Sequence, residues 1–145
     1  MKDSPISSER MEYLRKQMRD KLGWTDEELD RLSPRQWQRI DVTGRIQKNK
    51  VIAEVVRAHH CELQAKPGDK IVTRGGMVIL EETTFPSICI GALAHIYPLV
   101  QGAWQLLVTG QGSDNMFMDH VQCVDVGPEQ GGLGEVLFRV YCEEA

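Results

Sequence analysis

Lys50-Val51-Ile52-Ala53-Glu54-Val55-Val56-Arg57-Ala58 is the stretch at which the chain changes character. Its β-branched residues read as a strand. Farther along, Gly134-Glu135-Val136-Leu137-Phe138-Arg139-Val140-Tyr141-Cys142 has the alternation of a half-buried antiparallel strand, expected over 135–142. Between them, Lys66-Pro67-Gly68-Asp69 is a turn leading into a strand at 70–73. Arg74-Gly75-Gly76 connects that strand to another at 77–80, and so short a link argues for a hairpin.

Residues 87–97 are apolar almost all round and read as a short buried helix, with a strand as the competing reading. Pro98 disfavours helical geometry at Tyr97, so the helix is expected to end or kink there. Trp104 to Val108 reads as a strand or a short helix. Residues 110–115 form a loop, 121–126 a strand and 127–134 a glycine-rich loop.

Working back from Lys50, residues 41–50 are polar, carry Gly44 and read as a linker. Before them the start signals of helices are clear. One helix runs near 8–22 and stops at Gly23. Its apolar residues Met11, Leu14, Met18 and Leu22 lie on one stripe, which needs a core or a partner to lie on. Thr25-Asp26-Glu27-Glu28 is a capping box, with Trp24 and Leu29 as its hydrophobic staple. Ser33-Pro34-Arg35-Gln36 repeats the device, with Leu32 and Trp37 as the staple. The expected fold class is therefore α+β. A helical arm of three short helices (8–22, 26–31, 34–40) spans 1–45, and a compact antiparallel β-rich core with one buried helix spans 46–145.

The chain has 145 residues, enough for one real core, and a net charge of −4. Residues 1–50 carry 12 Lys and Arg against 9 Asp and Glu; residues 51–145 carry 5 against 12. A basic excess or stripe of the nucleic-acid-binding kind is lacking, so no nucleic acid is expected as partner. No apolar run approaches a membrane span, and Met1–Pro5 has no signal-peptide character. A cytoplasmic location follows as the expectation, with Cys61, Cys89, Cys123 and Cys142 as reduced thiols.

No phosphate loop, dinucleotide fingerprint, nucleophile elbow, HExxH or paired CxxC is present. One constellation remains. His60, Cys61, Cys89 and Cys123 converge if the strands bearing Cys61 and Cys123 pair and the helix bearing Cys89 packs on them. Thiolates with a histidine suit zinc or iron. The same cysteines also suit the role of small buried hydrophobes. His95 is a general base or a hydrogen-bonded core residue. Asp114, Asp119 and His120 form a polar cluster or simply turn chemistry. Met116-Phe117-Met118 is an interface patch if exposed and a core plug if not.

From Lys50 to Tyr141 the chain resembles a family of short, uncharacterised bacterial and archaeal proteins. The resemblance rests on His60-Cys61, Lys66-Pro67-Gly68-Asp69, Cys89-Ile90-Gly91-Ala92-Leu93 with Tyr97-Pro98, Cys123-Val124-Asp125 and Val136-Leu137-Phe138. It implies a compact α+β fold and the three-cysteine constellation, and it supplies no activity; the arm lies outside it. By size, acidity and amphipathic arm the chain is also similar in class to the small subunits of ATP-dependent ketone carboxylases of the acetophenone carboxylase type. It shares no quotable motif with them, and it lacks the paired cysteines of acetone carboxylase small subunits. Two functions are carried forward. One is a non-catalytic accessory subunit of a multisubunit bacterial metabolic enzyme, with such a carboxylase (a ligase) as the assembly that the likeness suggests, bound to larger subunits through Met11, Leu14, Met18 and Leu22. The other is a stand-alone metal-binding protein or enzyme using the Cys/His site.

Overall fold

A computed structural model describes residues 5–145; residues 1–4, most of the stretch read for a secretory leader, lie outside it. The class is α+β, with N-terminal helices preceding an antiparallel sheet. The chain divides into two compact units, one up to Gly44 and the other Arg45–Ala145.

The first unit is built from local signals. Helix α1 spans Ser8–Leu22; the Ser7 hydroxyl accepts from the Arg10 N–H, and Gly23 closes the helix at φ 71° by donating to the Arg19 carbonyl. Helix α2, Asp26–Asp30, opens with the Thr25–Glu28 capping box complete in both directions. Helix α3, Pro34–Gln47, opens the same way: Ser33 N–H donates to Gln36 and Gln36 N–H donates to Ser33. Leu14, Leu29 and Trp37 are buried together, with Met11, Met18, Trp24, Leu32 and Ile40 packed around them.

The expected linker at 41–50 is mostly helix. A single interior glycine costs a helix only about 1 kcal/mol. Asp41 is tied to Arg10 at 2.6 Å, and the Asn49 side chain takes up the Arg45 carbonyl at the C-terminal end. These ties outweigh the glycine, so α3 runs through Gly44.

The second unit holds a five-stranded antiparallel sheet: β1 Asn49–His59, β2 Lys70–Arg74, β3 Met77–Val78, β4 His120–Gln122 and β5 Glu135–Glu144, in the order β3-β2-β1-β5-β4. The long strands β1 and β5 form its centre, with Asn49 opposite Glu144 and His59 opposite Glu135, and a bulge between Val55 and Arg57. The edge strands are two and three residues long. Short edges of this kind limit edge-to-edge pairing with other chains.

Helix α4 spans Ile90–Val108 and covers one sheet face. Of the end or kink expected at Tyr97, the end does not occur: the helix passes through Pro98. Ala92, Ile96, Val100, Ala103 and Leu107 are all buried and continue one stripe across the proline. They pack on Val51, Ala53, Val55, Ile71, Val136, Phe138 and Val140. That burial outweighs the ~3 kcal/mol of an interior proline. Trp104–Val108 is therefore the end of this helix and not a strand.

Two turns fix the ends of the sheet. In Lys66–Asp69 the Asp69 carboxylate accepts the Lys66 N–H at 2.9 Å, with Gly68 at φ 92°. At the end of β1 the chain reverses through His60, a non-glycine residue at φ 49°. Gly134 lies directly beneath that reversal, close to the His59 and His60 carbonyl groups.

Candidate functional site

The structure places the proposed metal ligands as follows. Cys61 follows His60 in the reversal after β1, Cys89 is the N-cap residue of α4, and Cys123 follows β4, donating its N–H to the Val136 carbonyl. All three thiols are half-buried against the same apolar core, whereas His60 is exposed. The strands bearing Cys61 and Cys123 do not pair: β5 lies between β1 and β4. Two strand spacings are roughly 9–10 Å, and ligands of one zinc ion sit within about 2.3 Å of it. Among the described residues no three His, Cys, Asp or Glu side chains gather as a metal site. Cys142, near the C-terminal end of β5, has its thiol pushed up from its ordinary value by burial, with the Ser113 hydroxyl acting the other way. A thiol held protonated in this way is a poor nucleophile.

His95 Nδ1 lies 3.1 Å from the Gly91 carbonyl, one turn back in α4. Of the expected polar cluster, Asp119 contacts His120 at 2.6 Å and Arg139 at 3.2 Å, while Asp114 lies apart in a 3₁₀ turn at Ser113–Asn115. The bond with His120, followed by that with Arg139, holds the Asp119 carboxyl below its usual range. Register puts His120 opposite Arg139, Arg139 opposite Glu54 and Glu54 opposite Lys70, a row across four strands. The Tyr141 hydroxyl donates to Glu54 at 2.7 Å. Burial, then that bond, raises the Tyr141 phenol, and the same bond lowers Glu54. This is a solvated cross-strand network, which steadies the sheet by small increments.

Cys123-Val124-Asp125 is a structural device. The Asp125 carboxylate accepts N–H groups from Gly127, Leu133 and Gly134, each at 3.0 Å, and these bonds hold its carboxyl below the usual range. The glycine-rich loop is thereby closed upon itself. Beside it, Val124, Val126 and Leu133 stand exposed. At the other end of β4, Met116 packs on the core, Met118 is exposed, and Phe117 is exposed along its whole surface (102%). The Met-Phe-Met segment thus divides: one residue plugs the core and two face outward.

The stripe on α1 is used differently from a partner surface. Leu14 is buried, and Met11 and Met18 pack with it inside the first unit, leaving Leu22 exposed. The stripe lies on the arm's own core. The strand expected over 121–126 ends at Gln122, so Val124 and Val126 sit with Leu133 in irregular backbone, where no period marks them as exposed; nothing in the sequence marks the cleft between α4 and β3 lined by Tyr97 and Trp104.

No family model, curated protein or solved structure matches the chain. Among the described residues, no helix is long and apolar enough to cross a membrane.

Proposed function

We propose that the chain is a small non-catalytic accessory subunit of a multisubunit bacterial metabolic enzyme, seated on a larger cytoplasmic subunit by the β4 edge of its sheet. The observation that carries this is Phe117, wholly exposed beside exposed Met118, with Val124, Val126 and Leu133 exposed beyond the other end of the strand. Exposed aromatic and Met side chains suit the buried centre of a protein interface. An ATP-dependent ketone carboxylase of the acetophenone type is the assembly proposed, on the likeness of size, acidity and helical arm. The Cys/His alternative is not carried further, because β5 separates the strands that had to bring Cys61 and Cys123 together.

The test is a mild affinity purification of the tagged chain and of Phe117→Asp from the native host, each weighed by native mass spectrometry. The wild type is expected to carry a larger subunit in fixed stoichiometry. The variant is expected to be partner-free with an unchanged thermal midpoint. A wild-type chain recovered alone and monodisperse would refute the subunit role. A stoichiometric partner from a non-carboxylating enzyme would refute only the carboxylase assignment.

A further inference from the structure

A second apolar feature lies apart from the β4 edge. One flank of α4 and the edge strand β3 border an open cleft of about 380 Å³. Ile90, Leu93, Tyr97 and Trp104 form one wall, on a single stripe of the helix; Val78 and Thr73 form the other. A space of this size is within the range of small-molecule sites.

The chemistry of the lining narrows the occupant. None of the lining residues is charged. An ionic ligand entering it would exchange its hydration for apolar carbon without a counter-charge. The Thr73 hydroxyl gives its one proton to the Val51 carbonyl at 3.0 Å, so toward a ligand it can only accept. The Tyr97 hydroxyl accepts from Gln101 at 2.9 Å, which leaves its own proton free to donate. The Trp104 indole nitrogen is fully buried, so only the carbon surface of that ring meets the cleft. Tyr97 and Trp104 stand edge to face, centroids 6.3 Å apart at 86°, which presents aromatic surface at the mouth of the cleft. The one lining side-chain proton left for a ligand is thus that of the Tyr97 hydroxyl, and no lining side chain offers a carboxylate or amide acceptor.

From this we infer that the α4–β3 cleft binds a neutral, largely apolar small molecule of one or two rings that carries a hydrogen-bond acceptor. The site is independent of the subunit role, since it shares no residue with the β4 edge.

The probe is methyl 2-naphthoate, titrated into the full chain while the three indole N–H resonances are followed by NMR and assigned with Trp104→Phe. Saturable movement of the Trp104 resonance is expected, with those of Trp24 and Trp37 unmoved. The 2-naphthoate anion should bind at least about tenfold more weakly. Ala94 is exposed and lines the cleft, so Ala94→Phe fills it without entering the core and should abolish binding. Tyr97→Phe, a change confined to one hydroxyl, should weaken binding about fivefold. Lack of saturable binding by the ester would overturn the inference. So would binding that survives Ala94→Phe, or equal binding of the anion. If the ester does not bind and Ala94→Phe instead releases a partner subunit, the cleft belongs to a protein contact and the inference also fails.

Discussion

Gly134→Ala is the most demanding test of how the two central strands meet. A Cβ at this position would overlap the carbonyl oxygens of His59 and His60 and lie 2.5 Å from the His60 carbonyl carbon. Carbon atoms in contact prefer about 3.5–4.0 Å, so backbone must move by roughly 1 Å. All three obstructing atoms are main-chain, so no rotamer change relieves the clash. The displaced residues are the last rung of the central ladder, His59 opposite Glu135, and His60, already at φ 49°. Overpacking against such a neighbour costs about 3 kcal/mol, a fall of roughly 10 °C in Tm for a chain of this length. Gly102→Ala is the control: Gly102 lies inside α4 with nothing within 4 Å of its added Cβ. There the same methyl group should stabilise by about 0.5–1 kcal/mol through helix propensity. Urea and thermal unfolding followed by circular dichroism measure both. A Gly134→Ala protein as stable as the wild type would show that the β1–β5 closure is drawn wrongly.

Phe138 is fully buried and its ring lies 5.5 Å from that of Phe85, so Phe138→Ala should cost about 3–5 kcal/mol in denaturant unfolding. Leu29→Ala should cost about 2–5 kcal/mol, and amide exchange should show the loss within residues 5–44 while β1 and β5 keep their protection. Asp125 has a folded pKa below its unfolded value of about 3.9. Its contribution is therefore present above that unfolded pKa and lost as pH falls through the folded one; Asp125→Asn should flatten the acid limb of a stability–pH curve. Tyr141 has a raised folded pKa, so its contribution holds below about pH 10 and is lost as pH rises through the folded value. Tyr141→Phe should remove that alkaline loss and cost about 1 kcal/mol near neutral pH.

What could be read from the sequence was what is decided locally. Ser7, Thr25 and Ser33 each sit within three residues of the backbone donors they satisfy, so all three helix starts were legible. Pro98 and Gly44 misled for the complementary reason. Each is a local helix breaker, and each is overruled by contacts set elsewhere: the buried stripe of α4, and the ties that Arg10 and Asn49 make to α3. Sheet order was not legible, because nothing in Lys50–Ala58 states that its partner is Glu135–Glu144 rather than the strand near Cys123. The cysteine constellation assumed a pairing of the strands near Cys61 and Cys123, which the sheet does not make. The exposed Phe117 was legible only as half of an alternative. In irregular backbone there is no period to say that Met116 turns inward and Phe117 outward.

The pairing of β1 with β5 also sets an order of events in time. Synthesis delivers β1 early, and β5 only after β2, β3, α4 and β4 have been made. The first unit closes entirely on neighbours in sequence, so it can fold while the rest is still being translated. β1 cannot do the same: β2 reaches one of its sides, and the other stays without its strand until β5 leaves the ribosome. For that interval the middle of the sheet is an open edge, the kind of surface that recruits other nascent chains or a chaperone. The finished protein has short, blunt edges; the unfinished one presents its longest strand.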